Sequence, residues 1–374
     1  MFPGGRRSDT SCNFPVSNLP YLRSLFSRST ALELVTVNPE GLYCAPGGFY
    51  IDPWSPVEHA VITHAHSDHA SVGHARYLVS RDGEHITRRR VGDAPIQTLA
   101  YGETLDVNGV RVSLRPAGHV LGSSQVRLEY LGEIWVVSGD YKLQRDPTCA
   151  PFEPVRCHTF ITESTFGLPI YRWGDPAELF DEVTRWWRNN QAEKRASVIY
   201  AYSLGKAQRI LASVDASVGP IYCHGAVDVM NEAYRASGVA LPSTQRASAQ
   251  PRGHRFDDAL IVAPPSAQGT PWTRRFGDHA DAFASGWMQI RGVRRRRALD
   301  RGFAVSDHAD WPGLLNAISA TGAERVIVTH GYGDALVRWL NERGMRAERF
   351  ATRFKGEEGS AEAELPVEET GTAA

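Results

Sequence analysis

A chain of 374 residues that is 42% hydrophobic is long enough for two domains or for one large domain carrying an insertion. Its 41 Lys and Arg nearly balance 42 Asp and Glu, which excludes binding of nucleic acid by bulk positive charge but leaves room for a local basic track. The five cysteines are widely spaced with no C-x-x-C pair, excluding a disulfide framework or a cysteine zinc site and fitting a reducing cytoplasm. No apolar run approaches the ~20 residues of a membrane helix, so no membrane contact is expected. Arg6 and Arg7 precede no apolar core, and residues 1–30 read as a poorly ordered extension rather than a secretory signal.

From residue 31 the chain reads as short strands and turns. Leu34–Val37, Gly41–Cys44 and Gly47–Ile51 are strands, the last two around a Pro-Gly-Gly turn, and Asp52-Pro53-Trp54 closes the hairpin. The apolar run Ala60-Val61-Ile62 is a strand that delivers Thr63-His64-Ala65-His66-Ser67-Asp68-His69-Ala70 at its end. Three histidines and an aspartate within six positions supply imidazole and carboxylate donors suited to zinc, iron or manganese. This stretch is a metal site.

Tyr77–Ser80 is a further strand, and Val110–Arg115 alternates cleanly after the Asn108-Gly109 turn. Gln125–Tyr130 and Ile134–Ser138 form a hairpin through Leu131-Gly132. The pattern changes after Trp173. Ala177–Asn189 reads as an amphipathic helix with Asp175 as its cap and Pro176 in its first turn. Strands at Ala196–Ala201, Pro220–His224 and Ala259–Ala263 then alternate with helices starting near Gly205 and at Ala226, as in a parallel α/β unit. Near 300 the strands Gly302–Ser306 and Arg325–Thr329 alternate with helices at Trp311–Ser319 and Asp334–Arg343. His308 and His330 follow those two strands, so residues 293–354 are expected to rejoin residues 31–173, leaving 174–292 as an insertion. Residues 355–374 read as a disordered acidic tail.

Three more segments put donors at strand ends: Gly118-His119, Gly139-Asp140 and Thr329-His330. With the opening stretch they supply nitrogen and oxygen donors enough for two metals. In combination, His64-x-His66-x-Asp68-His69, Gly118-His119-Val120-Leu121-Gly122-Ser123 and Ser138-Gly139-Asp140 resemble the ligand motifs of the metallo-β-lactamase fold. Ile161-Thr162-Glu163-Ser164-Thr165-Phe166-Gly167, Val305-Ser306-Asp307-His308-Ala309-Asp310 and Val328-Thr329-His330-Gly331 resemble the three motifs of the β-CASP nucleases, and Lys206-Ala207-Gln208 the helix start in their inserted cap. Gly47–Trp54, Phe166–Pro169 and Ala263–Ala267 resemble the bacterial branch called ligase-associated DNA exonucleases, or mRNA 3′-end processing factor-like proteins.

That resemblance implies an α/β fold in which a four-layer αββα core (31–173 and 293–354) carries a Rossmann-like β-CASP cap (174–292). It implies two divalent metal ions, zinc or manganese. His64, His66 and His119 would hold the first, and Asp68, His69 and His330 the second, with Asp140 bridging and Asp68 also counted as catalytic. His308 would protonate the leaving oxygen. Glu163 would hold it, since a carboxylate beside imidazole favours its charged form. The implied function is a metal-dependent DNA exonuclease of repair, linked to a DNA ligase and a helicase. RNA is the alternative substrate, because a histidine at the position of His330 is commoner among RNA-directed members. An inactive scaffold would have lost ligands, and none is missing here.

Substrate contacts are read from basic and aromatic residues. Arg294-Arg295-Arg296-Arg297 would track phosphates near the cleft, and Ser203 and Lys206 would meet a terminal phosphate at a helix start. Tyr171, Trp173, Trp272 and Trp287 would stack on unpaired bases. The remaining histidines, His59, His74, His85, His158, His224, His254 and His279, are assigned to packing, caps or surface.

Overall fold

The computed structural model describes residues 33–290, 292 and 300–354. The expected extension 1–30, the acidic tail 355–374 and the run Arg294–Arg297 lie outside the described residues.

Period-two patterning builds two facing sheets. The first runs β1 (Thr36–Val37), β2 (Leu42–Cys44), β3 (Phe49–Ile51), β4 (His59–Val61), β5 (Arg76–Ser80) and β6 (Ile96–Leu99) in that order, antiparallel up to β3 and parallel beyond it. The second contains β7 (Thr104–Val107), β8 (Val110–Pro116), β9 (Ser124–Tyr130), β10 (Glu133–Val137) and β11 (Thr159–Thr162). Late in the chain β18 (Arg325–Val328) and β19 (Arg346–Arg349) join it, giving the order β19-β18-β11-β10-β9-β8-β7. Val110, Val112 and Leu114 alternate with exposed Arg111 along β8, and they pack with Val126, Val137 and Ile327 against Leu42, Ile51 and Val61 of the first sheet. Burial of this shared face removes apolar area from water and holds the two sheets together.

The outer faces are covered by helices. Val136, Phe160 and Val326 meet Leu314 and Ile318 of α5 (Trp311–Thr321) and Leu336 and Leu340 of α6 (Gly333–Asn341). On the other side, Ala60, Tyr77 and Val79 pack near Val91 of α1 (Glu84–Val91). The layers therefore read helix, sheet, sheet, helix.

A third sheet holds β12 (Ala196–Tyr200), β13 (Ile221–Cys223), β14 (Gln245–Arg246), β15 (Leu260–Ala263), β16 (His279–Ala284) and β17 (Arg301–Phe303), all parallel in the order β14-β13-β15-β12-β16-β17. The helix α2 (Pro176–Ala192) starts as its sequence requires, with Asp175 Oδ1 accepting from the Ala177 N–H at 2.8 Å and Pro176 in the first turn. Phe180, Val183 and Trp187 fall on one side of it and pack with Ile199, Val262 and Ile210 of α3 (Lys206–Ser213) and Val227 of α4 (Gly225–Ala236).

Several elements differ from the sequence reading. The helix α1 was not expected, and it packs Ile86 against Met230 and Tyr234 of α4. The strands β6, β7, β14, β16 and β19 were not expected either. The strand expected at Gly302–Ser306, and found at Arg301–Phe303, was to begin the return to the first two sheets. It is instead the edge strand of the third, because Phe303 is buried in that sheet's own core. The chain thus leaves the third sheet after Phe303, past the expected boundary at residue 292. Among the described residues, no helix is long and apolar enough to cross a membrane.

Candidate metal centre

Strand direction gathers the donors. The strands β10, β11 and β18 are neighbours and parallel, so the residues just past their ends, Asp140, Glu163 and His330, emerge at one edge of the second sheet. The strand β8 is antiparallel to β9, which is antiparallel to β10, so His119 arrives at that edge too. From the facing sheet, β4 delivers His64, His66, Asp68 and His69. Gly139 makes the approach tight: its φ is +57°, and a Cβ there would sit 2.6 Å from the Thr63 side chain.

Donor atoms of His64, His66, His119 and Asp140 all lie within 4.8 Å of one another, and so do those of Asp140, Glu163 and His330. Asp140 stands at the centre. Its Oδ2 is 3.6 Å from His64 Nε2, 3.6 Å from His69 Nε2 and 3.8 Å from His119 Nε2, while Oδ1 is 3.2 Å from His330 Nε2. Asp68 Oδ2 is 3.8 Å from His69 Nε2, and its side chain is 17% exposed. All the expected ligands are therefore brought together.

The donor set fits metal. His64 Nε2, His69 Nε2, His330 Nε2 and Asp140 Oδ1 are buried with no hydrogen-bond partner, a costly state for a polar atom unless a cation lies among them. Burial, helped by the neighbouring imidazoles, holds His64 and His119 well below the ordinary histidine range. Burial likewise pulls His66 down to about 4, so all three are neutral, the form that ligates metal. At His69 burial also pulls downward, but the Asp140, Asp68 and Asp52 carboxylates outweigh it and hold the ring up to about 10. Those carboxylates call for positive charge, which a proton or a metal cation can supply. For Asp140 burial pushes upward, and His69, His308 and His330 overcome it to hold the carboxyl well below its usual range.

Four of the imidazoles are oriented through their other ring nitrogen. Thr63 Oγ1 lies 3.0 Å from His64 Nδ1, Thr329 Oγ1 2.9 Å from His330 Nδ1, and the Asp307 carbonyl accepts from His119 Nδ1 at 2.9 Å. His69 Nδ1 donates to Asp52 Oδ2 at 2.8 Å, and the same carboxylate accepts from the Thr63 N–H at 2.7 Å and Thr63 Oγ1 at 2.6 Å. Asp52 was read only as a hairpin residue. Its positive φ of 44° fits that reading, and no local pattern marks its second task. Replacing Asp52 with alanine is expected to weaken metal binding about 10- to 100-fold, measured by competition with a chelator of known affinity. Unchanged affinity would remove Asp52 from the site.

Beside the cluster, His308 Nδ1 is 2.9 Å from Glu163 Oε2 and 3.2 Å from Oε1. Glu163 is itself fixed, accepting from the Tyr141 N–H at 2.8 Å and the Thr165 N–H at 3.3 Å. The loop carrying His308 is held from several sides. Lys142 Nζ and Arg209 Nη1 both donate to the Ser306 carbonyl, and Trp173 Nε1 donates to the His308 carbonyl at 2.9 Å. Asp310 caps α5 through the Gly313 N–H at 2.9 Å and accepts from the Trp173 N–H at 2.8 Å.

Some expected substrate contacts are placed otherwise. Lys206 is buried and gives its ammonium to Asp307 Oδ2 at 3.1 Å, because a buried charge needs a partner more than an open phosphate site does. Ser203 is buried next to it. Tyr171 is fully buried against Phe166 and Trp287, and Trp272 against Phe276, so neither offers a face to a base. Lys142 and Arg209 were missed; a lone cation in a loop or helix carries no local signature. Several other histidines serve structure: His158 Nδ1 accepts from the Ile134 N–H at 2.9 Å, and His224 caps α4 through the Ala226 N–H at 3.2 Å.

No family model matches the chain. It is 31% identical over 312 residues to a probable DNA ligase of Opitutus terrae, covering 82% of this chain and 30% of that protein. It is 30% identical over 122 residues to the endoribonuclease YSH1 of Saccharomyces cerevisiae and 31% over 122 residues to cleavage and polyadenylation specificity factor 73 of Drosophila melanogaster, each match covering 32% of this chain. The chain spans less than a third of the length of these curated relatives. A solved structure of a protein of unknown function from Enterococcus faecalis V583 superposes with a TM-score of 0.55 at 12% identity, covering 79% of each chain, and shares the fold. With the histidine and aspartate cluster assembled at the sheet edge, these relatives bear out the resemblance to the β-CASP nucleases carried by the motifs.

Proposed function

We propose that this protein is a metal-dependent nuclease that hydrolyses phosphodiester bonds of DNA from an end. The observation that carries the reading is the convergence of buried, unpartnered donors, His64, His69 and His330 Nε2 with Asp140 Oδ1, beside the His308–Glu163 pair. In this reading the two facing sheets are the metallo-β-lactamase core and the third sheet with its helices is the β-CASP cap. His64, His66 and His119 would hold one ion and Asp68, His69 and His330 the other, with Asp140 available to both. Zinc or manganese ions held there would supply charge neutralisation at the phosphoryl oxygens and a more acidic water.

The chain's own residues do the rest. His308 gives a proton to the departing oxygen, and Glu163 holds its Nδ1 so that the other ring nitrogen is presented to substrate. Burial of the ligands keeps bulk water from competing for the donors. The run Arg294–Arg297 is assigned to the phosphate backbone. A role alongside a DNA ligase is supported by the relative named a probable DNA ligase; DNA repair and a helicase partner rest on the motif resemblance, and a cytoplasmic location on the cysteine spacing.

RNA is the second reading, favoured by His330 and by two relatives named for RNA cleavage or polyadenylation. Matched single-stranded DNA and RNA, labelled at either end and supplied with zinc or manganese, separate the two. Progressive shortening of DNA is expected. Degradation of RNA alone would reject the DNA assignment, and no cleavage of either by metal-loaded protein would leave an inactive scaffold.

A further inference from the structure

The last described residues reach the metal centre. Beyond β19 the chain keeps to the end of β18: the Phe350 N–H donates to the Val328 carbonyl at 2.9 Å, and Thr352 Oγ1 to the Thr329 carbonyl at 3.1 Å. Four residues past Phe350, Phe354 lies flat on the His69 imidazole, centroids 4.6 Å apart and planes 5° from parallel. It meets His330 edge-on at 5.7 Å and Trp54 edge-on at 5.7 Å. The Arg353 guanidinium sits 5.9 Å from the Trp54 ring, on the same hairpin as Asp52.

Two ligands from different sheets thus share one aromatic neighbour. His69 is fixed at Nδ1 by Asp52, which leaves rotation about that hydrogen bond, and a ring stacked on its face removes that freedom. The space behind the ligands, lined by Asp52, His69, Gly139, Thr329, His330 and Phe354, is a cavity of about 10 Å³. It has room for one water at most. Without the Phe354 ring this pocket opens toward solvent, and His69 and His330 lose the wall that points both Nε2 atoms at Asp140.

We propose that Phe354 is a positioning residue for the metal held by Asp68, His69 and His330, and that residues 350–354 form a strap completing that half of the centre. The inference rests on the two-ion reading above. It is selective, because no aromatic contact links Phe354 to His64, His66 or His119 among the described residues.

Metal stoichiometry and stepwise affinity, measured by dialysis against zinc with elemental analysis, test it on the full chain without recourse to activity. The wild type is expected to hold two ions. Phe354→Leu keeps apolar volume while removing the stack, and it is expected to keep one ion tightly and bind the other about 10- to 100-fold more weakly. Phe354→Ala should follow it, and Phe354→Tyr should keep both. A wild type holding one ion would overturn the two-ion reading and this inference together. Two ions in the wild type with undiminished second affinity in the folded Leu variant would overturn the inference alone.

Discussion

Asp140→Ala is expected to lower phosphodiester cleavage by at least about 10³-fold and to remove bound metal at the same time. Its carboxylate is the one group close to both donor sets, 3.6 Å from His64 and His69 through Oδ2 and 3.2 Å from His330 through Oδ1. Losing it strips a ligand from each ion and leaves five buried imidazoles, His64, His69, His119, His308 and His330, without the negative charge they surround. The several kcal/mol that metal ions contribute at a phosphoryl transition state correspond to that rate factor. Asp140→Asn keeps the shape and one acceptor oxygen, so it should retain the fold and one weakly held ion while activity stays low. The checks are kcat/KM on end-labelled strand and metal content of the same preparation. Retained activity in Asp140→Ala would sink the bridging arrangement.

What was legible in the sequence is what is chemically dense over a short stretch. His64–His69 declared a metal site because several donors follow one strand, and Asp140 and His330 could be added because each directly follows an apolar strand. The alternation of strand and helix from Pro176 onward likewise announced the third sheet. The partners that orient the ligands were not legible. Asp52 meets His69 from the end of the neighbouring parallel strand, Lys142 and Arg209 meet Ser306 from separate segments, and Phe354 meets His69 from the last described residues. Each is a single residue of ordinary type in an ordinary context, and only tertiary packing gives it a task. The missed helix α1 has the same cause. Its Arg88-Arg89-Arg90 run reads as a charged surface, and it is held by Ile86 against α4 rather than by a strong amphipathic stripe. The strand β16 is Ala-rich, without the β-branched residues that mark a strand, and its neighbours on both sides impose its conformation.

His308→Ala is expected to reduce kcat by about 10²- to 10⁴-fold, the contribution of a general acid, with both ions retained. Glu163 has two competing assignments in the same geometry. It lies 2.9 Å from His308 Nδ1, yet its carboxylate also falls within reach of Asp140 and His330 donors. Glu163→Gln separates them. The amide keeps one oxygen for the Tyr141 N–H, but its NH₂ replaces Oε2, where it faces the Thr165 N–H and His308 Nδ1. A donor at that place disfavours a proton on Nδ1, so the charged ring is lost and the neutral imidazole left behind is too weak an acid to protonate the departing oxygen. If Glu163 acts through His308, the Gln variant loses kcat on a similar scale, keeps its metal, and adds nothing further in the background of His308→Ala, because residues acting as one unit are not additive. If Glu163 is a metal ligand, metal content falls and the two losses multiply. Multiplied losses with a missing ion would reassign Glu163 to the ion shared by Asp140 and His330, and leave His308 to be oriented by its loop alone.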